Sequence, residues 1–407
     1  MTERSTRAAT RRDAPLLAVV GAPSHSASAV QVERAALVSS RGGAPRICVV
    51  GPLPPPEGGM ANQTRQLAEL LRSEGLAVEI VRTNVPYSPA WIAETRGARA
   101  VVRLAKYARS LWLAFGRCDV VHLMANSGWA WHLFAVPALW IAWLRGRAVV
   151  VNYRGGEAER FLAGSSWLVR MSLTRARIVA VPSRFLRKIF ARHGVPAEVV
   201  PNIVDLKLFA PRALPGALPE SPHIVVTRNL EWIYDNETAI CALALVRQEF
   251  PSCRMSIAGT GPELERLRQT AIACGVGDAV TFLGRLDRDA VAALYKSADI
   301  ALNPSRVDNM PNSILEALAS GVPVVSTQVG GVPYMVDHGR TALLVPPQEP
   351  QPMAEGIVRL LRDRELARRI ASAGLQDVQQ FGWSAVKDQW IDIYARLMPR
   401  VRGRARS

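Results

Sequence analysis

The sequence predicts an α/β fold built from two successive domains, each a parallel sheet with helices on both faces. Three observations carry this reading. Short β-branched runs alternate with helical stretches along most of the chain, a pattern that implies parallel strands joined by helical crossovers. The alternation breaks once, across Pro201–Pro222, which holds five prolines and little periodicity. The length of 407 residues exceeds what one core ordinarily organises, so two domains are expected.

The first set of elements opens with a strand at Ile47–Val50, a loop ending in Gly58-Gly59, a helix over Asn62–Ser73 stopped by Gly75, and a strand at Val78–Arg82. This is a βαβ opening. Further strands are expected at Val120–Met124, Ala148–Asn152, Ile178–Pro182 and Glu198–Val200. A second set follows at Ile224–Thr227, Arg254–Ala258, Ala279–Leu283, Ile300–Asn303, Val322–Thr327 and Ala342–Val345. A last helix is read over Ser384–Met398, followed by a basic tail. The expected organisation is therefore a disordered extension at 1–45, a first domain at 46–205, a second at 206–383, and a closing helix with its tail at 384–407. The extension is rich in Arg, Ala and Ser, and its brief apolar stretch ends at Pro23, too short for a secretory signal.

Charge is unevenly placed. Residues 1–210 hold 28 Lys/Arg against 13 Asp/Glu, whereas residues 211–407 hold 22 against 21. The first half thus points to an anionic partner. No helix-turn-helix, zinc-ligand set or RNA-binding aromatic motif is present, so nucleic acid is not the expected partner; an anionic membrane surface or a lipid phosphate is. Arg96, Arg99, Arg103, Lys106 and Arg109 fall at helical spacing, and Arg184, Arg187, Lys188 and Arg192 form a second basic helix. A charge stripe of this kind is ordinarily a solvated face. The longest apolar run, Trp129–Leu144, is broken by His132 and Pro137 and is too short to span a bilayer. It reads as a buried helix, with a helix partly inserted in a membrane interface as the alternative. Five scattered cysteines, an odd count without metal spacing, fit a reducing cytoplasm.

The most informative stretch is Asn303–Gly331, NPSRVDNMPNSILEALASGVPVVSTQVGG. A polar loop with Asp308 leads into a short apolar helix with Glu316, a Gly stop at Gly321, and the strand Val322–Thr327. Eight positions separate the two carboxylates, about two helical turns, so both can line one cleft edge. Pro311 suits the start of a helix. The N–H groups of Asn312, Ser313 and Ile314 then face outward, at the helix end that favours phosphate. Carboxylates for hydroxyls beside amides for phosphate suggest a nucleotide-sugar site. Arg228 follows a strand at the carboxyl edge, where open α/β sheets bind ligands. Gly58 and Gly59 lack Cβ atoms and let backbone approach a ligand, or simply make a tight turn. Arg154 is either a fork for phosphate or hydroxyls or a surface partner of Glu157. His122 reads as a satisfied core histidine, and Asn126 as an acceptor-side candidate.

Asp308, seven residues, Glu316, then Ala317-Leu-Ala-Ser-Gly-Val-Pro-Val-Val325 resembles the signature of retaining glycosyltransferases with the two-Rossmann GT-B fold. Val181-Pro-Ser183, Val200–Asp205, Ala258–Pro262 and Phe282–Leu286 resemble other landmarks of that family, and the likeness covers nearly all of residues 46–398. The resemblance implies two Rossmann-like domains facing across a cleft, with the C-terminal helix crossing back to the first. It implies that Arg228 pairs with donor phosphates and that Glu316 accepts from ribose hydroxyls. Asp308 then binds the transferred sugar among Asn309, Met310, Asn312 and Ser313. Arg285 and Leu286 lie where the family's backbone reads the base. Gly59 faces the donor diphosphate, and Gly58, Asn126 and Arg154 lie on the acceptor side. Two departures stand out. The first acid is Asp rather than Glu, and the Lys that the family places about five residues after the Arg is missing from Asn229–Asp235. Either another cation, Arg154 or Arg306, serves in its place, or catalysis is weaker.

The expected activity is retaining transfer of a sugar from a nucleotide-diphosphate sugar, a co-substrate, to a carbohydrate or lipid-linked acceptor in surface polysaccharide or glycoconjugate assembly. The departing phosphate would deprotonate the acceptor hydroxyl on the same face, so no enzymatic nucleophile is assigned. No cofactor or metal is expected, because Arg side chains and helix N-termini can serve the diphosphate. The expected location is cytoplasmic, peripheral on the inner membrane face. The alternatives are a sugar-nucleotide epimerase of the same fold and a non-catalytic sugar-nucleotide-binding scaffold.

Overall fold

The computed structural model describes residues 45–55, 58–84, 98–164, 167–212, 217 and 219–398. The expected disordered extension lies outside the described residues, apart from Pro45. Strands β1 (Arg46–Gly51), β2 (Ala77–Arg82), β3 (Val120–Ala125), β4 (Ala148–Tyr153), β5 (Ile178–Val181) and β6 (Glu198–Val199) form one parallel sheet. Its order is β2-β1-β3-β4-β5-β6. A second parallel sheet holds β7 (His223–Val226), β8 (Arg254–Ala258), β9 (Val280–Gly284), β10 (Ile300–Asn303), β11 (Val324–Thr327) and β12 (Leu343–Val345), in the order β12-β11-β10-β7-β8-β9. The architecture is thus α/β with two Rossmann-like domains. Each order reverses once, between β1 and β3 and between β7 and β10. A crevice opens beyond the carboxyl ends of strands at such a switch point. The loops that follow β1, β3, β7 and β10 are therefore where side chains can meet a ligand.

Most strand bounds shift by one residue from the expectation. The largest difference is β11, which starts at Val324 rather than Val322, because the proline nitrogen of Pro323 cannot donate to a ladder. Helix α1 (Gly59–Ser73) starts three residues early, so Gly59 is its first residue and Gly58 its N-cap. On one face of the first sheet lie α2 (Ala98–Arg117), α3 (Val136–Leu144), entered through a π-helical turn at Trp131–Ala135, α4 (Ala158–Ala163), α5 (Trp167–Leu173) and α6 (Arg184–Arg192). The other face is covered by α1 and by the last helix, α13 (Trp383–Leu397).

Helix α13 is the crossing element. Val386, Trp390, Ile393, Tyr394 and Leu397 recur at helical spacing, are buried, and pack with Ile47, Val49, Val120 and Val150 of the first sheet. Its approach is fixed where the chain crosses between the sheets: the Val204 amide donates to the Phe381 carbonyl at 3.0 Å.

Three expectations about the surface need correction. The Trp129–Leu144 run is not a buried helix: Trp129 is 79% exposed and Leu144 62%, while Trp131 and Leu139 are buried. Its period places one apolar face inward and leaves the other outward. The first basic stripe is also incomplete as a solvated face. Arg103 turns back to the Thr83 carbonyl at 2.9 Å and lies over the Phe134 ring, and Arg96 falls outside the described residues. In α6, Lys188 reaches the Tyr334 hydroxyl at 3.1 Å and Arg192 pairs with Glu159 at 3.0 Å. The five cysteines are free thiols, although Cys241 and Cys274, far apart in sequence, place their sulfurs 3.4 Å apart.

Trp390→Ala removes a fully buried indole that packs on His122 with ring centroids 4.7 Å apart. It is expected to cost about 3–5 kcal/mol, read as a fall in the urea midpoint of the first domain, with the second domain's transition less affected.

Candidate active site

Arg228 follows β7 on a loop that lies directly against the turn after β8. A Cβ on Gly259 would come within 2.1 Å of the Arg228 carbonyl oxygen, so only glycine lets the two backbones meet. The guanidinium lies over the Tyr234 ring at 4.1 Å and points Nη1 at Ser313 Oγ, 3.4 Å away. Its Nη2 donates to Asp308 Oδ2, and both side chains are nearly out of solvent. Two residues expected to hold different parts of a donor therefore hold each other. Ser305 Oγ (3.2 Å) and the Asn309 amide (3.0 Å) also donate to Asp308. Burial pushes the Asp308 carboxyl above its ordinary pKa, and Arg228 opposes that push. The loop rests on Gly330-Gly331, where a Cβ on Gly331 would come within 1.7 Å of the Asn309 carbonyl oxygen.

Helix α10 (Asn312–Ala319) has Pro311 as its N-cap, one position earlier than expected. The Ile314 amide donates back to the Pro311 carbonyl at 3.2 Å. Of the three amides expected to face a phosphate, those of Asn312 and Ser313 remain, and both residues line the cleft. Glu316 is one turn further in. Among the described residues its carboxyl has no protein donor. Burial raises its pKa to about 7, with the Arg288 and Arg228 charges pulling the other way.

The first domain supplies the opposite wall. A Cβ on Gly59 would sit 3.7 Å from Asn312 Nδ2, so the starts of α1 and α10 face one another across the cleft. Asn126 Oδ1 accepts from the Ser127 amide at 2.8 Å and stands at the same wall. Arg154 is not a partner of Glu157, which instead lies 3.8 Å from Arg160. Arg154 is held from behind: its Nε donates to Asn152 Oδ1 at 2.8 Å. Asn152 Nδ2 stands 2.9 Å from His122 Nε2, and His122 Nδ1 stands 2.8 Å from the Tyr394 hydroxyl. Arginine can only donate, which turns the Asn152 amide so that its nitrogen faces the histidine. Burial lowers the His122 pKa to about 3, so the ring is neutral. Its Nε2 accepts from Asn152 and its Nδ1 donates to Tyr394. His122 is thus the core histidine expected, and it links a cleft arginine to the crossing helix. Arg154 Nη1 is buried without a partner, and burial lowers the Arg154 pKa to about 9.

The thirteen residues assigned from the sequence to the donor or acceptor side line one cleft of about 590 Å³: Gly58, Gly59, Asn126, Arg154, Arg228, Arg285, Leu286, Asp308, Asn309, Met310, Asn312, Ser313 and Glu316. Arg285 reaches Thr260 Oγ1 at 3.2 Å. Asn309 Nδ2 donates across the cleft to the Gly155 carbonyl, beside Arg154. Arg306 does not join them. It is paired with Asp235 at 2.8 Å and lies over the Trp232 ring, outside the cleft. Of the two cations expected to replace the missing Lys, only Arg154 lines the cleft, and it does so on the first-domain wall.

Asn202 and Arg288 are among the cleft residues that carry no individual assignment in the sequence. Asn202 donates to the Met310 carbonyl and to Asn312 Oδ1, both at 2.8 Å, tying the linker to the mouth of α10. Arg288 pairs with Asp205 at 3.3 Å and faces Glu316. Asn202 and Asp205 lie in a stretch noted as a landmark, but pairing over about a hundred residues leaves no local signal. Asp287-Arg288-Asp289 is an Asp-x-Asp triplet. Asp287 is spent as a helix cap, accepting from the Ala290 amide at 2.8 Å. Among the described residues, no group of three His, Cys, Asp or Glu side chains is placed to hold a metal ion.

A carboxyl whose folded pKa is raised favours the folded state at low pH, and that contribution is lost as pH rises through the folded value. For Glu316 the window runs from about 4.5 to about 7. Glu316→Gln should therefore stabilise the protein at pH 8, by on the order of 2 kcal/mol, and change little at pH 4. Thermal melts at the two pH values check this.

Two sequence families match the chain. Residues 216–377 match Glycosyl transferases group 1, and residues 57–208 match Glycosyltransferase Family 4. A GDP-mannose-dependent alpha-(1-6)-phosphatidylinositol monomannoside mannosyltransferase of Mycobacterium tuberculosis is 32% identical over 243 residues, 56% of this chain and 62% of that protein. A D-inositol 3-phosphate glycosyltransferase of Jonesia denitrificans is 27% identical over 306 residues, 69% of this chain and 72% of that protein. The match thus spans somewhat under two thirds of the mannosyltransferase. Among solved structures, sucrose-phosphate synthase from Thermosynechococcus elongatus superposes with a TM-score of 0.68 at 23% identity, covering 86% of this chain and 99% of that one. Anabaena HepE in complex with UDP-glucose superposes with a TM-score of 0.67 at 18% identity, covering 86% and 100%. The two family matches in tandem, on two facing Rossmann-like sheets, place this chain in the group 1 family of glycosyltransferases with the GT-B fold.

Proposed function

We propose that the protein is a retaining glycosyltransferase that moves a sugar from a nucleotide-diphosphate donor to a carbohydrate or lipid-linked acceptor. The observation that carries this reading is the convergence of Arg228, Asp308 and Glu316 on one cleft wall, with Arg154 and the start of α1 opposite. Glu316, without a protein donor and poised near neutral pH, would accept from the ribose hydroxyls. Arg228 would exchange Asp308 for the donor diphosphate, freeing the Asp308 carboxylate for hydroxyls of the transferred sugar. Arg154, with its free Nη1, would supply the positive charge that the missing Lys leaves unfilled. Charge that develops on a departing diphosphate is what such groups stabilise.

In this reading the bond between the anomeric carbon and the phosphate oxygen breaks. The acceptor oxygen joins that carbon on the same face, and its proton passes to the departing phosphate oxygen. The products are the glycosylated acceptor and the nucleoside diphosphate. Closure of the two domains over the donor would limit hydrolysis. GDP-mannose, named for the mycobacterial relative, and UDP-glucose, bound by HepE, are the first donors to try. The setting we favour is surface polysaccharide or glycoconjugate assembly, with the protein at the cytoplasmic face of a membrane.

Saturation-transfer NMR with a panel of UDP-, GDP- and ADP-sugars tests the reading, with Glu316→Ala as site control. One donor should bind, and the substitution should abolish its signal. Absence of binding by every donor would favour a scaffold. Arg154→Gln should keep donor binding within a few-fold and lower kcat about a hundredfold or more, with Arg154→Lys recovering part of it.

A further inference from the structure

We infer that the outer face of the α2–α3–α5 layer docks on an anionic lipid bilayer, lying on the surface rather than spanning it. The docking itself stands apart from the proposed transfer, and only its use for presenting a lipid-linked acceptor rests on that reading. The first observation is exposed apolar surface. Every large apolar side chain of the first domain that is substantially exposed, among the described residues, belongs to this layer or the turns entering it. Trp129, Trp167, Leu144, Trp143 and Trp112 range from 79% down to 45% exposed.

The second observation is that these side chains are joined by cations. The Arg145 guanidinium lies 4.6 Å from the Trp112 ring, bridging α2 and the end of α3. Arg175 lies 4.4 Å from Trp143 and 4.6 Å from Trp140, bridging α3 and the end of α5. Gly116 leaves room for the guanidinium in this position, since a Cβ there would come within 2.2 Å of Arg145 Nη2. Lys106, Arg109 and Leu113 share one exposed stripe of α2.

Charge selects the partner. Residues 98–117, 129–147 and 167–177 hold no Asp or Glu; Arg103 turns inward and Arg117 pairs with Glu79, while Lys106, Arg109, Arg170 and Arg177 are exposed. A second copy would meet this face with like charge, since a two-fold interface sets a patch against itself. An anionic headgroup layer complements it, at about 1 kcal/mol per cation near the surface. Tryptophan is favoured at headgroup depth, and arginine reaches outward along its apolar stem. No helix among the described residues is long and apolar enough to cross a membrane, which fits a face that lies in the interface. Trp129 is three residues beyond Asn126, which lines the cleft. The docked face would therefore bring the cleft mouth to the lipid surface, where a lipid-linked acceptor is held.

Vesicle co-flotation of the full chain tests this, using phosphatidylcholine vesicles with and without phosphatidylglycerol. Binding is expected only with the anionic lipid, weakening as salt rises, with a blue shift of tryptophan fluorescence. Trp129→Ser, Trp143→Ser, Arg170→Glu and Arg177→Glu combined should reduce partitioning about tenfold or more. Lys296→Glu with Arg359→Glu, both on the second domain, should reduce it much less. Folding and donor binding of the four-fold variant should match the parent, because none of the four residues lines the cleft. The proposal is overturned if the parent ignores anionic vesicles, if the four-fold variant binds as well as the parent, or if the second-domain control loses as much. Loss of donor binding in the parent would sink the transfer reading and leave this one standing.

Discussion

The architecture depends on how one helix is buried. Helix α13 belongs to the second half of the chain, yet it seals a face of the first sheet with Val386, Trp390, Ile393 and Tyr394. Without it, that face would expose Ile47, Val120 and Val150, and the hydrophobic term that dominates folding would be lost locally. The same helix sets the relation between the sheets, because its start is tied to the linker through Val204 and Phe381. Burial of a Tyr hydroxyl within that apolar interface needs a partner, and His122 provides it. The chain of hydrogen bonds from Tyr394 through His122 and Asn152 then ends on Arg154, so the packing that joins the halves also orients a cation in the cleft between them.

Glycines make the second wall. Arg228 and the Asp308–Asn309 loop each rest on a turn whose backbone comes closer than any side chain permits, at Gly259 and Gly331. Such contact fixes two loops without spending polar side chains on the task. It leaves Arg228 and Asp308 with little solvent, and a charged pair there keeps its strength because water cannot screen it. Glu316 sits beside them without a hydrogen-bonding partner among the described residues, and its raised pKa follows from the same dryness. Burial raises both carboxyls and Arg228 opposes the rise at both, with a direct hydrogen bond only to Asp308.

Much of the site was legible locally. The Asp308–Glu316 spacing, the Gly stop and the strand after it are properties of one short stretch, and each has a direct physical reading. Arg228 was legible from its place after a strand, and Gly58 and Gly59 from theirs between a strand and a helix. What local reading could not supply was partnership. Nothing near Arg306 signals Asp235, and nothing near Arg154 signals Asn152 and His122 as the groups that aim it. The Trp129–Leu144 run likewise shows its composition in sequence but not which of its two faces is covered.

The elements, their alternation, the break between the two sheets and the residue types available at each strand end are all written locally in the chain. These follow from short-range sterics and from hydrophobic periodicity, which act over a few residues. Which charges neutralise one another, which arginine reaches the cleft, and which apolar face stays in contact with solvent emerge only on folding. Those outcomes depend on distance and dielectric between groups that the chain separates by tens to hundreds of positions, and only the folded packing sets them.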